Sequence, residues 1–494
     1  MKRSRTNDIM KHSTKFNFLM NSLLTASSFI FPLITYPYVS RILGPENIGK
    51  VSFATSVLYY FAMFAQLGIP TYGISACARV RDDKKKLSQT VQEIMLINGA
   101  MTVIVYAVFA VSLFAVPRLS AEKPLFIITG LTILFNTLGV EWLYKALEQY
   151  SYITAVSILF KIVSVAAMFA FIHSPDDYVI YGGISIIAAT GSSLMNFIRL
   201  RRFVFIRPLG GYNIKRHLKA IWVFFAMSIA TTVYTNLDTV MLGFIKNDSD
   251  VGYYNTAVKV KNILCSLVTS LGTVLLPRMS CLAEEKKWDE FYAVVKKALN
   301  FVLLLALPLS VFFILFARES IILLSGGAFL PSVVPMRIIT PTIILIGITN
   351  VLGIQILVPL GKEKYVLYSE IAGAAINLAA NALLIPRLSA SGAAIGTLAA
   401  EAVVLAVQFY VLRETVAPVF RRLSYFKIFL GLAAGCAAAV PIKMFSGLGS
   451  FLTLAVSAAL FFGLYGGVLY LVREPLVKEL TDQTVGRILK KLKR

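Results

Sequence analysis

Residues 44–50 read GPENIGK, which has the G-x-x-x-x-G-K spacing of a loop that cradles nucleotide phosphates. Such a loop needs Ser or Thr after the lysine to hold Mg²⁺, with a strand before it and a helix after it. Val51 follows Lys50, and long apolar runs flank the turn on both sides, so nucleotide chemistry is excluded. The cysteines (Cys77, Cys265, Cys281, Cys436) and the histidines (His12, His173, His217) are scattered, with no metal-binding or paired spacing. What remains is charge inside apolar segments: Lys161, Lys259, Lys261 and Arg337, with Glu93, Glu141, Asp238, Glu370 and Glu401. An ionised side chain in hydrocarbon is costly, so these residues are functional candidates by default.

The elements that carry them are set by composition. The chain has 494 residues, of which 57% are hydrophobic and 15% charged, and its mean hydropathy is +0.75. That much apolar surface cannot be hidden in water, which predicts an all-α integral membrane protein. Fourteen segments of about 20 apolar residues, each long enough to cross the hydrocarbon, lie between residues 17 and 472. The one at 333–359 contains Pro341 and is expected to be kinked. In that arrangement one side collects thirty-six Lys and Arg and the other eight. The positive-inside rule then places both termini in the cytoplasm. The net charge of +23 is therefore a topological signal and an affinity for anionic headgroups, not a nucleic-acid patch. The first apolar run is read as an uncleaved helix, because it is too long for a signal peptide.

The first hairpin turns as VSRILGPENIGKVSFATSV, and the seventh and eighth segments turn as TVMLGFIKNDSDVGYYNTAVKV. Leu43-Gly44 matches Leu242-Gly243, and Gly49 matches Gly252. This internal repeat predicts two six-helix lobes around a central cavity, plus two additional C-terminal helices. The expected divisions are 1–205, 206–413, the helix pair 414–472, and a basic amphipathic tail at 473–494 that lies in the membrane interface.

The run YPYVSRILGPENIGKVSFATSVLYYFAMFAQLGIPTYG (36–73) resembles the opening hairpin of prokaryotic polysaccharide flippases. These belong to the multidrug/oligosaccharidyl-lipid/polysaccharide exporter superfamily. VGYYNTAVKV (251–260), LLPRMS (275–280) and IPRLSASGAAIGT (385–397) are similar to the same family. The resemblance implies a bacterial cytoplasmic-membrane transporter, not an enzyme. Its substrate would be a polyprenyl-pyrophosphate-linked oligosaccharide, carried from inner to outer leaflet by alternating access. Partners would be the lipid-linked glycan, membrane lipids and polysaccharide polymerase machinery. Fourteen spans also resemble the lipid II flippases, whose last two helices offer a groove for the lipid tail. A cation-coupled multidrug antiporter of the same superfamily is the other rival. No cofactor is expected; energy would come from an ion gradient (H⁺ or Na⁺), the membrane potential or substrate flow.

Depth sorts the charges against that substrate. Lys161 and Glu401 lie near the midplane, nine and ten residues into their segments. Lys161 is the first candidate for the pyrophosphate, because a fixed ammonium in low dielectric attracts an anion strongly. Glu401 is either a coupling group or a polar contact within GAAIGTLAAEA. Asp238, Lys259 and Lys261 share a depth, and either brace their hairpin or meet substrate. Arg337 either snorkels or lines the cavity, and Arg41 anchors the interface or contacts phosphate. Glu141 is a gating or coupling residue, or pairs with a basic loop. Glu93 and Glu370 lie near cytoplasmic ends and are read as interfacial. The external loops are too short for a catalytic domain, which excludes a glycosyltransferase or polymerase.

Overall fold

The structure, a computed structural model, describes residues 14–445, 447, 449–479, 481 and 482. Every regular element among the described residues is helical. Among the described residues, eight helices are long and apolar enough to cross a membrane, or up to eleven if each of three bent pairs is one span. Two of the eight, Leu19–Ala78 and Glu363–Phe420, run for 60 and 58 residues. The chain forms two compact units, residues 1–252 and 253–494. Of the residues expected to form the apolar face of the tail, Leu476 is described, and Leu480, Val485, Leu489 and Leu492 lie outside the described residues.

The first unit contains α1 (Thr14–Gln66), α2 (Ile69–Ala78), α3 (Lys84–Ala115), α4 (Lys123–Leu138), α5 (Glu141–Ala146), α6 (Tyr150–Phe171), α7 (Tyr178–Thr190), α8 (Ser192–Leu200) and α9 (Lys215–Ile245). α1 packs against α3, α4, α6 and α9. It is two helices joined at Gly44, whose φ of 72° and ψ of 174° break the helical path just before Pro45. Glycine takes that conformation without a Cβ penalty, and proline then starts the next helix without needing its N–H. α3 begins at Asp83, whose carboxylate accepts from the Lys85 and Lys86 amides at 3.0 and 3.1 Å. Along α3, Ile94, Val105 and Phe109 are buried, while Val103, Val111 and Phe114 are 67–73% exposed. A large apolar residue exposed this far along a helix has lipid as its natural surround. α9 bends by 52° between residues 215–233 and 235–245.

α10 (Asp248–Glu284) begins in the first unit and continues into the second. The second unit then runs through α11 (Trp288–Leu315), α12 (Ala317–Ser325), α13 (Val333–Ile339), α14 (Thr342–Asn350), α15 (Glu363–Phe420), α16 (Tyr425–Phe445) and α17 (Ser450–Leu471). The kink expected at Pro341 is present: the helices flanking Thr340-Pro341 diverge by 44°, and a π-helical turn follows at Val351–Leu357. α15 is broken at Ser389 (φ 50°, ψ −130°). The terminal pair α16 and α17 packs closely because Gly431 and Gly435 let Tyr465 and Phe461 approach. Phe312 of α11 lies 5.4 Å from Phe461, and an apolar groove of about 210 Å³ opens beside them.

Candidate functional site

α6 lies alongside α1 with matching direction. Thr154 donates to the Met20 carbonyl at 3.0 Å near one end, and Tyr38 donates to the Ile172 carbonyl at 2.8 Å near the other. Lys161 sits between these contacts. Its Nζ donates to Ser27 Oγ at 2.7 Å and Ser28 Oγ at 2.9 Å. Both hydroxyls are neutral, so they orient the ammonium without cancelling its charge. Ser27 is buried and Ser28 exposed, which leaves one flank of the lysine open. The arrangement can hold an anion against a fixed cation inside the helical bundle.

The remaining sequence candidates are dispersed. Arg41 is exposed, with Nη1 donating to the Pro37 carbonyl at 2.6 Å, one turn back on α1. It lies thirteen residues beyond Ser28, or about 20 Å along the helix, so it does not join Lys161. Asp238 of α9 is 6% exposed and acts electrostatically on Tyr60. Lys259 and Lys261 are half-buried on α10, and Arg337 is exposed on α13. Glu401 is 5% exposed on α15, one turn beyond Thr397, whose hydroxyl lies 3.0 Å from Tyr254 OH. Glu141 is exposed, pairs with Lys145 at 2.8 Å within the same short helix, and is the one of these candidates that acts electrostatically on Lys161.

Glu93 sits in a network that the sequence reading did not anticipate. Expected at the interface, it is fully buried. Its Oε1 accepts from the Asn213 amide at 2.7 Å, and its Oε2 from Arg216 Nε at 2.9 Å and His217 Nε2 at 2.6 Å. His217 Nδ1 lies 2.6 Å from Tyr72 OH. With Nε2–H donating to the carboxylate, Nδ1 is free to accept from the tyrosine, and both ring nitrogens are satisfied. The neighbouring residues of α3 extend the attachment. Gln92 Nε2 donates to the Phe205 and Arg207 carbonyls, Gln89 donates to the Gly211 carbonyl, and Ser88 Oγ accepts from the Phe205 amide. The connection at 204–213 is therefore strapped along the start of α3 rather than hanging free. The signal in the sequence was the cluster of hydrogen-bonding residues S-Q-x-x-Q-E at 88–93.

At the other end of the unit, the two repeated turns touch each other. A Cβ on Gly49 would lie 1.7 Å from the Asp248 carbonyl oxygen, and one on Gly252 would lie 2.0 Å from the Pro45 carbonyl oxygen. Pro45 is four residues before Gly49, and Asp248 four before Gly252, so the contact is reciprocal. Arg118 secures it by pairing with Asp248 and donating Nε to the Gly243 carbonyl at 3.0 Å. Its guanidinium also lies 5.0 Å from the centre of the Phe53 ring. Lys50, the lysine of GPENIGK, pairs with Glu122 at 3.0 Å and Glu46 at 3.3 Å. Replacing Arg118 by alanine is expected to cost on the order of 1–3 kcal/mol, the usual loss for a hydrogen bond to a charged group. A lower melting temperature of the purified protein, partly recovered in Arg118→Lys, is the readout. An unchanged melting curve would show that Arg118 does not hold the turns.

Comparison with known proteins gives the following. Residues 15–283 match a family model described as polysaccharide biosynthesis protein, and residues 224–383 match the MatE model. A protein of Escherichia coli (strain K12) named "Putative O-antigen transporter" is 24% identical over 82% of this chain and 98% of its own length. One of the same name from Shigella dysenteriae is 25% identical over 74% and 91%. Among solved structures, the lipid II flippase MurJ in an inward closed conformation aligns with a TM-score of 0.73 at 16% identity, covering 93% of this chain and 100% of that one. An inward-facing multidrug resistance MATE transporter aligns with a TM-score of 0.56 at 13% identity, over 82% and 99%. At these identities the structural matches speak for the fold alone.

Proposed function

Because the chain belongs to the polysaccharide biosynthesis protein family, a family of multi-pass membrane transporters rather than enzymes, we propose that it flips a polyprenyl-pyrophosphate-linked oligosaccharide from the inner to the outer leaflet. Fourteen crossings fit this reading. The two long helices broken at Gly44 and Ser389 each cross twice, the three bent pairs cross once each, and α10 supplies the last. The six-span halves are 1–205 and 206–413, and both termini are cytoplasmic. The tail of the lipid would lie in the apolar groove beside α17.

The observation that carries the reading is Lys161, a cation held by two neutral hydroxyls deep in a transmembrane segment. At an effective dielectric of 20, a unit charge about 4 Å away gains roughly 4 kcal/mol, and a pyrophosphate brings more than one. A cationic drug would be repelled by the same amount, which sets the reading against the drug antiporter. The full-length alignment with the lipid II flippase fold keeps that carrier as a second reading with the same diphosphate chemistry.

The test is reconstitution in liposomes with a fluorescent lipid-linked glycan. Lys161→Ala is expected to slow its translocation about 10–100-fold, equivalent to about 1.4–2.8 kcal/mol, and Lys161→Arg to retain part. Efflux of a cationic dye should be absent from wild type and variant alike. Wild-type vesicles that move no lipid-linked glycan would sink the proposal, and parallel vesicles with lipid II separate the two carriers.

A further inference from the structure

The first half of α1 exposes two different faces. Leu19, Leu23, Ile30 and Ile34 are each 46–59% exposed. At about 100° per residue these four fall within one apolar sector. Asn17, Asn21, Thr25 and Ser28 fall in a sector of roughly 80° on the other side. Asn21, Thr25 and Ser28 are exposed too. Amides and hydroxyls turned to hydrocarbon without partners cost free energy, so a helix with both faces open has lipid on one and an aqueous groove on the other.

Two buried atoms show that this polar face is incomplete by itself. Asn17 is 6% exposed, and its Oδ1 has no hydrogen-bond partner. On α6, one turn past Lys161, Ser164 is 1% exposed and its Oγ is equally unpartnered. The exposed hydroxyls rest on their own helix: Thr25 donates to the Asn21 carbonyl at 3.0 Å, and Ser28 donates to the Leu24 carbonyl at 3.3 Å. Such back-bonds are weak and leave the oxygen lone pairs free to accept. Among the described residues of this sector of α1 there is no carboxylate; the cation reached at Ser28 is Lys161, on which Glu141 of α5 acts electrostatically.

We propose that this face is the sugar-binding rail of the path, taking neutral, hydroxyl- and acetamido-bearing sugars that adjoin the diphosphate held at Lys161. The inference rests on the flippase reading and adds to it which residues meet the glycan and which glycan chemistry they suit. Asn21 and Thr25 exchange hydrogen bonds with sugar hydroxyls, and Asn17 Oδ1 accepts from a hydroxyl or an acetamido N–H. A sugar acid finds no cation on the rail beyond Lys161.

The experiment compares two soluble probes on the purified full-length protein: farnesyl diphosphate, and farnesyl diphosphate linked to a neutral N-acetylated disaccharide. The double variant Asn21→Leu/Thr25→Val is expected to weaken the disaccharide probe at least tenfold and leave farnesyl diphosphate within twofold. Equal loss for both probes, or unchanged binding of the disaccharide, overturns the rail while the flippase reading stands. A wild-type protein that binds neither probe overturns that reading and the rail together. As a check that does not depend on the double variant folding, Thr25→Cys and Leu23→Cys are labelled with a hydrophilic thiol reagent. Labelling above the native cysteines is expected at Thr25→Cys only, and the disaccharide probe should suppress it at least fivefold. Labelling that the probe does not slow overturns the rail.

Discussion

Glu93→Ala is expected to destabilise the protein by about 3–5 kcal/mol, the usual result of removing one partner from a buried ionic network. The carboxylate is fully buried and holds a backbone amide, a guanidinium and an imidazole, all from residues 213–217. Without it, His217 Nε2, on a residue only 3% exposed, loses its acceptor, and such an unsatisfied buried group costs about 1–3 kcal/mol, whereas water replaces part of the bond to the Asn213 amide on its exposed residue. Arg216 contributes less, because its side chain is 46% exposed and water takes over part of its solvation. Glu93→Gln keeps the shape and one acceptor oxygen, and should lose roughly half as much. Thermal unfolding of the purified protein measures both. A double-mutant cycle with His217→Ala isolates the pair, with a coupling of about 1–3 kcal/mol expected for groups in contact. A Glu93→Ala protein that melts with the wild type would show that the connection at 204–213 is not anchored through this residue.

The hydrogen-bonding cluster at 88–93 stood in the sequence, but its partners did not, for a physical reason. Glu93 and its partners are more than 110 residues apart, and no periodicity reports which helix end a connection folds onto. The all-helical, membrane-spanning character was legible, because an apolar run of about 20 residues has few alternatives once its backbone must satisfy itself. Gly44-Pro45 and Pro341 were legible too, since each constrains its own backbone wherever the rest of the chain goes. Lys161 stood out as a midplane charge. That Ser27 and Ser28 would receive it depends on α6 lying along α1, which neither segment's own pattern encodes. The polar sector of α1 was present as Asn17, Asn21, Thr25 and Ser28, but hydropathy averages over a helix and hides such a face. GPENIGK and its partial copy at 243–252 were matched as equivalents. The structure adds that the equivalents touch.

That contact carries the second large effect: Gly49→Ala is expected to reduce transport about 10–100-fold. The added methyl would overlap the Asp248 carbonyl, a backbone atom that cannot rotate aside as a side chain would. Relief requires the two turns to part, and forcing a close-packed contact open costs typically 1–3 kcal/mol. A conformational equilibrium shifted by about 1.4 kcal/mol moves tenfold. Gly252→Ala meets the Pro45 carbonyl in the same way and should act equally. Because both changes open one seam, the double variant should be little worse than either single one, a strong departure from additivity. Gly44→Ala is the contrasting case. Nothing lies within 4 Å of its Cβ position, so only its φ of 72° is strained, at about 1–3 kcal/mol, and the seam stays shut. Phe53, 2% exposed and packed where a Gly243 Cβ would lie, reports the seam directly. Phe53→Cys should resist a hydrophilic thiol reagent in the wild-type and Gly44→Ala backgrounds and react readily with Gly49→Ala. If Gly49→Ala transports normally while Phe53→Cys stays protected, the reciprocal glycine contact has no part in the transport cycle.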